Sequence, residues 1–320
     1  MVAPEIARAA DALRAGELVA FPTETVYGLG ADASNPSAVQ ELFAVKRRPA
    51  DHPVIVHIAR SEQLYALAID VPDTARALAD AFWPGPLTLV VTRNAERVAP
   101  EVTGGRATVG LRVPDHPLAL ALLDAFGGGV AAPSANRFGK VSPTTAAHVH
   151  ADLGDDVAVV LDGGPCKIGI ESTIVDLTGS APTILRVGGV TRAQIEETIG
   201  QVCAVRTTGE IAAPGTLASH YAPIASVEMS DAASVAGRAR DLLSGGQRVG
   251  VLALWQSLAD LPEQLVVLDP PRDIGDFARA LYARLRVADE LDLDVLLVVV
   301  PPGTDGLAAA ILDRVRRAAR

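Results

Sequence analysis

Four groups of side chains in this chain could do chemistry on a small, multiply charged ligand. The first is the cation cluster Lys46-Arg47-Arg48-Pro49 in a protein whose formal net charge is −10. Because Pro49 disfavours helix in the residue before it, these cations sit where a helix stops. They read either as solvated helix-capping charges or as a clamp on phosphate oxygens. The second group is Ser134 and Asn136 in Ala132-Pro133-Ser134-Ala135-Asn136, which follows a glycine-rich turn and a short apolar run. Ser134 is not in a G-x-S-x-G nucleophile elbow, so two hydrogen-bonding side chains two residues apart are the plainer reading. The third is a pair of arginines closing apolar runs: Arg112, which could face a carboxylate, and Arg186. The fourth is the loop Asp162 to Val175, with one cation, three glycines and the hydroxyls of Ser172 and Thr173. His57 lies between apolar neighbours and reads either as a structural histidine or as a ligand contact. None of these groups has metal-ligand spacing. A Walker A loop is absent, and G-x-G-x-x-A at Gly28–Ala33 begins too far after the preceding strand for a dinucleotide turn.

The elements that must hold these groups are legible as alternating patterns. Strands are expected at 18–21, 54–58, 87–91, 108–111, 130–132, 157–161, 172–177 and 183–187. Helices are expected near 5–15, 36–46, 61–68, 73–82, 116–126, 144–152 and 191–199. This is α/β patterning, and its irregular spacing implies a mixed sheet. Pro22 stops the first strand, and Thr23 to Ala33 reads as a hydroxyl-rich turn with two glycines. Asn35 and Pro36 give the next helix its N-terminal signal. Residues 225–320 read as a smaller α/β unit with buried parallel strands at 248–254 and 295–300 and helices near 273–290 and from 307 onward. The expected division is 1–200, a linker or lid at 201–224, and 225–320.

Length and 49% hydrophobic residues suit two buried cores. The acidic balance argues against an electrostatic nucleic-acid binder. No apolar run is long enough to span a membrane. Two cysteines, Cys166 and Cys203, make no disulfide framework, and a soluble cytoplasmic protein is expected. Lysine is scarce, with three (Lys46, Lys140, Lys167) against 25 arginines, and all three fall in segments singled out for function.

Taken in order, PTETVYGLGADA at 22–33, Lys46-x-Arg48-Pro49, IVHI at 55–58, FWPGPLT at 82–88, GLRVP at 110–114, APSAN at 132–136, SPT at 142–144, DGG at 162–164 and IEST at 170–173 resemble the threonylcarbamoyl-AMP synthase family. PGTLASHYAP and the second unit resemble its longer members. The resemblance implies a YrdC-like domain, a twisted mixed sheet around a deep cationic cavity, and a smaller Rossmann-like C-terminal domain. It implies synthesis of L-threonylcarbamoyl-AMP from L-threonine, bicarbonate or CO2 and ATP, with Mg²⁺ carried mainly on the ATP phosphates and no protein metal site. The product would pass to a tRNA threonylcarbamoyl transferase complex, with direct tRNA binding weak or absent. By position, Thr25, His57, Arg112, Ala132 (through its backbone) and Ser172 match threonine-site residues. Lys46, Arg48, His52, Thr108, Ser134, Asn136, Ser142, Arg186 and Tyr221 match the nucleotide side, with Lys46 and Arg48 as the catalytic pair and Tyr221 part of a lid. Arg47 stands where the family usually has glycine, and His52 where a small amide is common. Val187 replaces a proline, and Thr216 and Ser219 replace a methionine and a basic residue. Two other functions stay open: a carbamoyl-transferring enzyme of the same fold, and a non-catalytic RNA-binding module.

Overall fold

The computed structural model describes residues 3–206, 221–258, 260–303 and 306–319. They form two compact units. One holds Gly139–Val141, Ile168–Ile170 and the described residues from Tyr221 on, and the other holds the remainder. Most of the linker expected at 201–224 lies outside the described residues, Thr216 and Ser219 included.

The larger unit runs α1 (Pro4–Arg14), β1 (Val19–Phe21), β2 (Gly28–Asp32), α2 (Pro36–Lys46), β3 (Ile55–His57), α3 (Leu64–Leu67), α4 (Asp73–Phe82), β4 (Leu87–Thr92), β5 (Thr108–Arg112), α5 (Pro117–Phe126), β6 (Val130–Ala131), α6 (Ala146–Leu153), β7 (Val159–Val160), β8 (Thr173–Asp176), β9 (Thr183–Arg186), α7 (Arg192–Ile199) and β10 (Ala204–Val205). The strands make one mixed sheet in the order β10-β9-β8-β4-β5-β3-β6-β2-β1-β7. Period-two alternation divides β1 between two cores. Val19 and Phe21 pack with Ile6 and Leu13 of α1 and Leu122 and Leu123 of α5, whereas Ala20 packs with Leu42 of α2 and Val149 of α6. Helices therefore cover both faces, as a largely apolar sheet requires.

Residues 22–33 correct the expectation of one long turn. The turn ends at Tyr27, and Gly28–Asp32 is strand β2, antiparallel to β1 with Gly30 opposite Val19. Its glycines permit close packing. A Cβ on Gly30 would lie 2.7 Å from Val130 Cγ1 and 3.0 Å from Phe21 Cε1. The G-x-G-x-x-A pattern is thus a strand and not a phosphate loop. At α2, Asn35 Oδ1 accepts the N–H groups of Ser37 and Ala38, and Pro36 occupies the first turn. Lys46 is the last helical residue rather than a loop residue. Arg47 ends the helix in the left-handed region, φ 53°, which explains why glycine suits that position.

The smaller unit runs β11 (Ser226–Ser230), α8 (Val235–Ser244), β12 (Val249–Leu252), β13 (Val266–Val267), α9 (Ile274–Glu290), β14 (Val295–Val299) and α10 (Gly306–Ala318). Its sheet is all parallel in the order β11-β14-β12-β13, with β12 and β14 fully buried in the centre. The flanking β11 and β13 and helix α8 carry no strong periodic signal and went unanticipated.

Candidate functional site

The parallel pairing of β3 and β5 sets Arg112 beside His57 at the same ends of adjacent strands. Arg112 donates from Nε to the Gly85 carbonyl at 3.1 Å, and from Nη2 to Glu24 Oε1 at 2.6 Å and Thr25 Oγ1 at 3.0 Å. The ion pair is buried, with 4% and 2% of the two side chains exposed. Glu24 Oε2 accepts the backbone N–H of Asp115 at 3.0 Å. The turn carrying these residues is closed by Thr23, whose Oγ1 accepts the N–H of Val26 and donates to its carbonyl. His57 is buried, set edge-on to Phe21 at 5.8 Å, and its Nδ1 has no hydrogen-bond partner. Burial first, and the Arg112 charge second, hold its pKa well below 6.5, with the Ile55 carbonyl opposing weakly, so the ring is neutral at neutral pH.

The segment from Ala132 to Asn136 is strung alongside the 27–29 backbone. Leu29 N–H donates to the Pro133 carbonyl, and Ala135 N–H to that of Tyr27, each at 2.8 Å. The N–H of Ala132 is engaged by the Ile55 carbonyl, so a ligand contact there falls to the carbonyl of Ala132. Lys46 at the end of α2 reaches into this segment. Its Nζ donates to the carbonyls of Ser134, at 2.5 Å, and Asn136. Lys46 is 1% exposed, and burial followed by the neighbouring Arg48 charge lowers its pKa well below 10.5, opposed by Asp152. Arg48 donates to the Pro53 carbonyl at 2.9 Å and lies 5.5 Å over the Phe138 ring, against which His52 packs edge-on. Burial and Arg48 also lower the pKa of His52. The Asn136 amide donates to the Arg137 carbonyl.

A further cluster joins the late strands. Arg186 donates from Nε to the Ser172 carbonyl at 2.9 Å and from Nη2 to Ser172 Oγ at 3.0 Å, and that hydroxyl pairs with Thr88 Oγ1 at 2.8 Å. Ser142 Oγ donates to Glu171 Oε1 at 2.7 Å. Thr108 opens β5, and the parallel register puts it beside the chain around Pro53, next to the Arg48 cluster. It lies about 13 Å along the strand from Arg112 at ordinary strand rise.

The expected residues thus gather as Thr25–His57–Arg112, Lys46–Ser134–Asn136, Arg48–His52 and Ser172–Arg186, all in the larger unit. Ser172, matched to the threonine set, is bonded to Arg186 of the nucleotide set. Tyr221 lies in the smaller unit, 1% exposed, stacked on Tyr282 at 5.3 Å with the Arg314 guanidinium 5.6 Å over its ring. Sequence reasoning assigned no part to Glu24, Thr88, Glu171 or Phe138. The available signal was a lone acid, Glu24 or Glu171, among hydroxyls and apolar residues. Among the described residues no group of three or more His, Cys, Asp or Glu is placed to hold a metal ion, and no helix is long and apolar enough to cross a membrane.

A family model described as "Telomere recombination" matches residues 11–188, and one described as "Threonylcarbamoyl-AMP synthase, C-terminal domain" matches residues 190–320. The threonylcarbamoyl-AMP synthase of Bacillus subtilis is 42% identical, the match covering 99% of this chain and 93% of that one. That of Pyrococcus abyssi is also 42% identical, covering 97% and 92%. A crystal structure of P. abyssi Sua5 complexed with L-threonine superimposes with a TM-score of 0.90 at 40% identity, covering 98% and 94%.

Proposed function

The chain belongs to the threonylcarbamoyl-AMP synthase family, and on that premise we propose how its residues make L-threonylcarbamoyl-AMP from L-threonine, bicarbonate or CO2 and ATP. This is the first step of threonylcarbamoyladenosine formation in tRNA. The carrying observation is the buried Arg112 beside the unpartnered Nδ1 of His57. Three of the five guanidinium donors are taken by Gly85, Glu24 and Thr25, which leaves the Nη1 pair for a substrate carboxylate. Neutral His57 offers a hydrogen bond without a competing charge. Thr25, Ser172 and the Ala132 carbonyl complete the amino-acid side.

The uncharged threonine amine adds to CO2 and releases one proton to solvent, which gives a carbamate. Its oxygen attacks the α-phosphorus of ATP, and pyrophosphate leaves. The substrate supplies the nucleophile, so the protein acts by positioning and by matching charge. In this reading Lys46, Arg48 and Arg186 meet phosphate oxygens and would line the expected cationic cavity. His52, Thr108, Ser134, Asn136 and Ser142 orient the nucleotide, and Tyr221 serves the lid. These are cations and neutral hydrogen-bonding groups, which suit phosphate and form no cage for a divalent ion. Mg²⁺ carried on the ATP phosphates would offset charge on pyrophosphate, and no step is assigned to a protein-held metal. A cytoplasmic location belongs to the same proposal; among the described residues no helix is long and apolar enough to cross a membrane. A downstream transferase complex takes the product, and the net charge of −10 keeps direct tRNA binding weak. The division into residues 1–200 for catalysis, 201–224 for the lid and 225–320 for the second domain belongs to the same proposal.

The test is pyrophosphate release with L-threonine, bicarbonate and ATP omitted in turn, with mass spectrometry of the nucleotide product. Release that requires all three, with a threonylcarbamoyl adenylate mass, is expected. Release without threonine would instead indicate carbamoyl transfer from another donor or plain ATP hydrolysis, and no release would favour a binding module.

A further inference from the structure

We infer that Glu24 is a positioning residue for threonine recognition: it fixes Arg112 so that only the Nη1 edge of the guanidinium faces the substrate carboxylate. The inference rests on the reading of Arg112 as the carboxylate partner. Glu24 is 2% exposed, and burying a carboxylate is costly unless it is paired and hydrogen-bonded. It has two, from different elements. Oε1 accepts from Arg112 Nη2 at 2.6 Å, and Oε2 accepts the backbone N–H of Asp115 at 3.0 Å. One carboxylate thereby ties the 23–27 turn to the end of β5 and to the chain leading into α5. Thr25 Oγ1 takes the second Nη2 proton, and the Gly85 carbonyl takes Nε–H. Every donor on one side of the guanidinium is thus engaged, and rotation about the terminal torsions would break three bonds at once. Charge matters as well as geometry, because the buried Arg112 needs a compensating anion when no substrate is bound.

Glutamine at this position makes a discriminating change. Its amide has the same shape but only one acceptor oxygen, whereas Arg112 Nη2 and Asp115 N–H both require an acceptor. One contact must become donor against donor, and the guanidinium loses its anion. The lost anion by itself would strengthen the pull of Arg112 on a carboxylate, so a smaller preference for a carboxylate over a neutral carboxamide reports the lost aim of the guanidinium.

The experiment is calorimetric titration of the full-length chain with L-threonine and, separately, with L-threoninamide, which keeps the amine and the side chain and lacks the negative charge. In the wild type, L-threonine is expected to bind more tightly. In Glu24→Gln the ratio of the two dissociation constants is expected to fall by about tenfold or more, the size of one charge-assisted hydrogen bond, while the affinity for ATP stays within about twofold. A merely structural role would weaken both amino-acid ligands and ATP together and leave the ratio in place, and that result overturns the inference. If Glu24→Gln does not fold, Glu24→Asp keeps the charge on a stem too short to span both partners. A wild-type ratio in folded Glu24→Asp is equally contrary. Arg112→Gln is measured in parallel. If it abolishes the ratio and Glu24→Gln does not, the inference about Glu24 alone is wrong. If Arg112→Gln leaves the ratio intact, the reading of Arg112 is wrong as well.

Discussion

Replacing Lys46 with methionine separates the observed task of this buried ammonium from its proposed one. In the free protein Nζ donates to the carbonyls of Ser134 and Asn136, two residues apart on the same segment. In the proposed complex it also faces phosphate. Methionine fills a similar volume and donates nothing. A hydrogen bond to a charged group contributes about 1.5–3 kcal/mol, so ATP should bind about 10- to 150-fold more weakly. For the fold, two opposed effects arise. Two carbonyls lose a donor, at about 1–3 kcal/mol each if they stay dry, while the cost of burying a cation disappears. The same burial, with Arg48 adding to it, holds the Lys46 pKa well below 10.5. Phosphate favours the charged form and raises that pKa on binding. Hence wild-type ATP affinity should decline as pH rises through the window that begins at the depressed free-protein value. An ordinary lysine would lose its charge only near 10.5. Lys46→Met should lack this decline. Calorimetric titration with ATP between about pH 7 and 10 reads both quantities. Equal affinity in wild type and variant, with parallel pH profiles, would remove Lys46 from the phosphate side.

Arg47→Gly should raise the denaturant midpoint by about 0.5–1 kcal/mol of stability, because Arg47 is held at φ 53° where a side chain is strained and glycine is not; an unchanged or lower midpoint contradicts that reading. Gly188→Ala should lower thermal stability by about 1–3 kcal/mol. Its Cβ would lie 2.4 Å from Thr173 N and 2.5 Å from the Glu171 carbonyl oxygen, so Ser172 should shift with it and a wild-type melting curve would refute the packing argument. His57, neutral in the folded protein, gains its proton far more readily when unfolded, so stability should fall as pH drops below 6.5. The slope approaches about 1.4 kcal/mol per pH unit until the depressed folded value is reached. The gap between wild type and His57→Phe should narrow over that range, and a constant gap between pH 7 and 5.5 would show that His57 does not titrate as argued.

How much of this was readable beforehand depended on whether the cause was local. Helix α2 was legible because Asn35, Pro36 and the 39–43 apolar face act within a turn or two of each other. Strands β3, β4 and β5 were legible because they are apolar runs in a sheet buried on both faces. Strand β2 was not. Gly28 and Gly30 lower strand propensity, and their reason for being there is the nearness of Phe21, Val130 and Ala132, which only the folded sheet supplies. The site followed the same division. Arg112, His57, Lys46 and Arg48 stood out by type and position at element ends. The groups that hold them did not, because Glu24 meets Arg112 across 88 residues and Thr88 meets Ser172 across 84. In the smaller unit the central strands announced themselves, whereas β11 has one fully buried residue and carried no pattern to find.

The scarcity of lysine takes on a specific meaning once burial is known. Lys140 and Lys167 are exposed, so arginine could serve there with little change in packing. Lys46 alone is buried, with one small ammonium between two carbonyls on the same short segment. A guanidinium is planar, carries five donors in a fixed fork and keeps its charge at any working pH. It would need more acceptors than Ser134 and Asn136 supply and could not shed its proton to lower the cost of burial. Lysine has neither constraint. In the proposed complex its charge would strengthen against phosphate, so part of the electrostatic attraction would develop only as the nucleotide binds. Arg48 and Arg186, by contrast, use their forks on carbonyl and hydroxyl partners that hold them in a fixed direction. On the proposed reading the two cation types divide the work, the arginines by geometry and Lys46 by its adjustable charge.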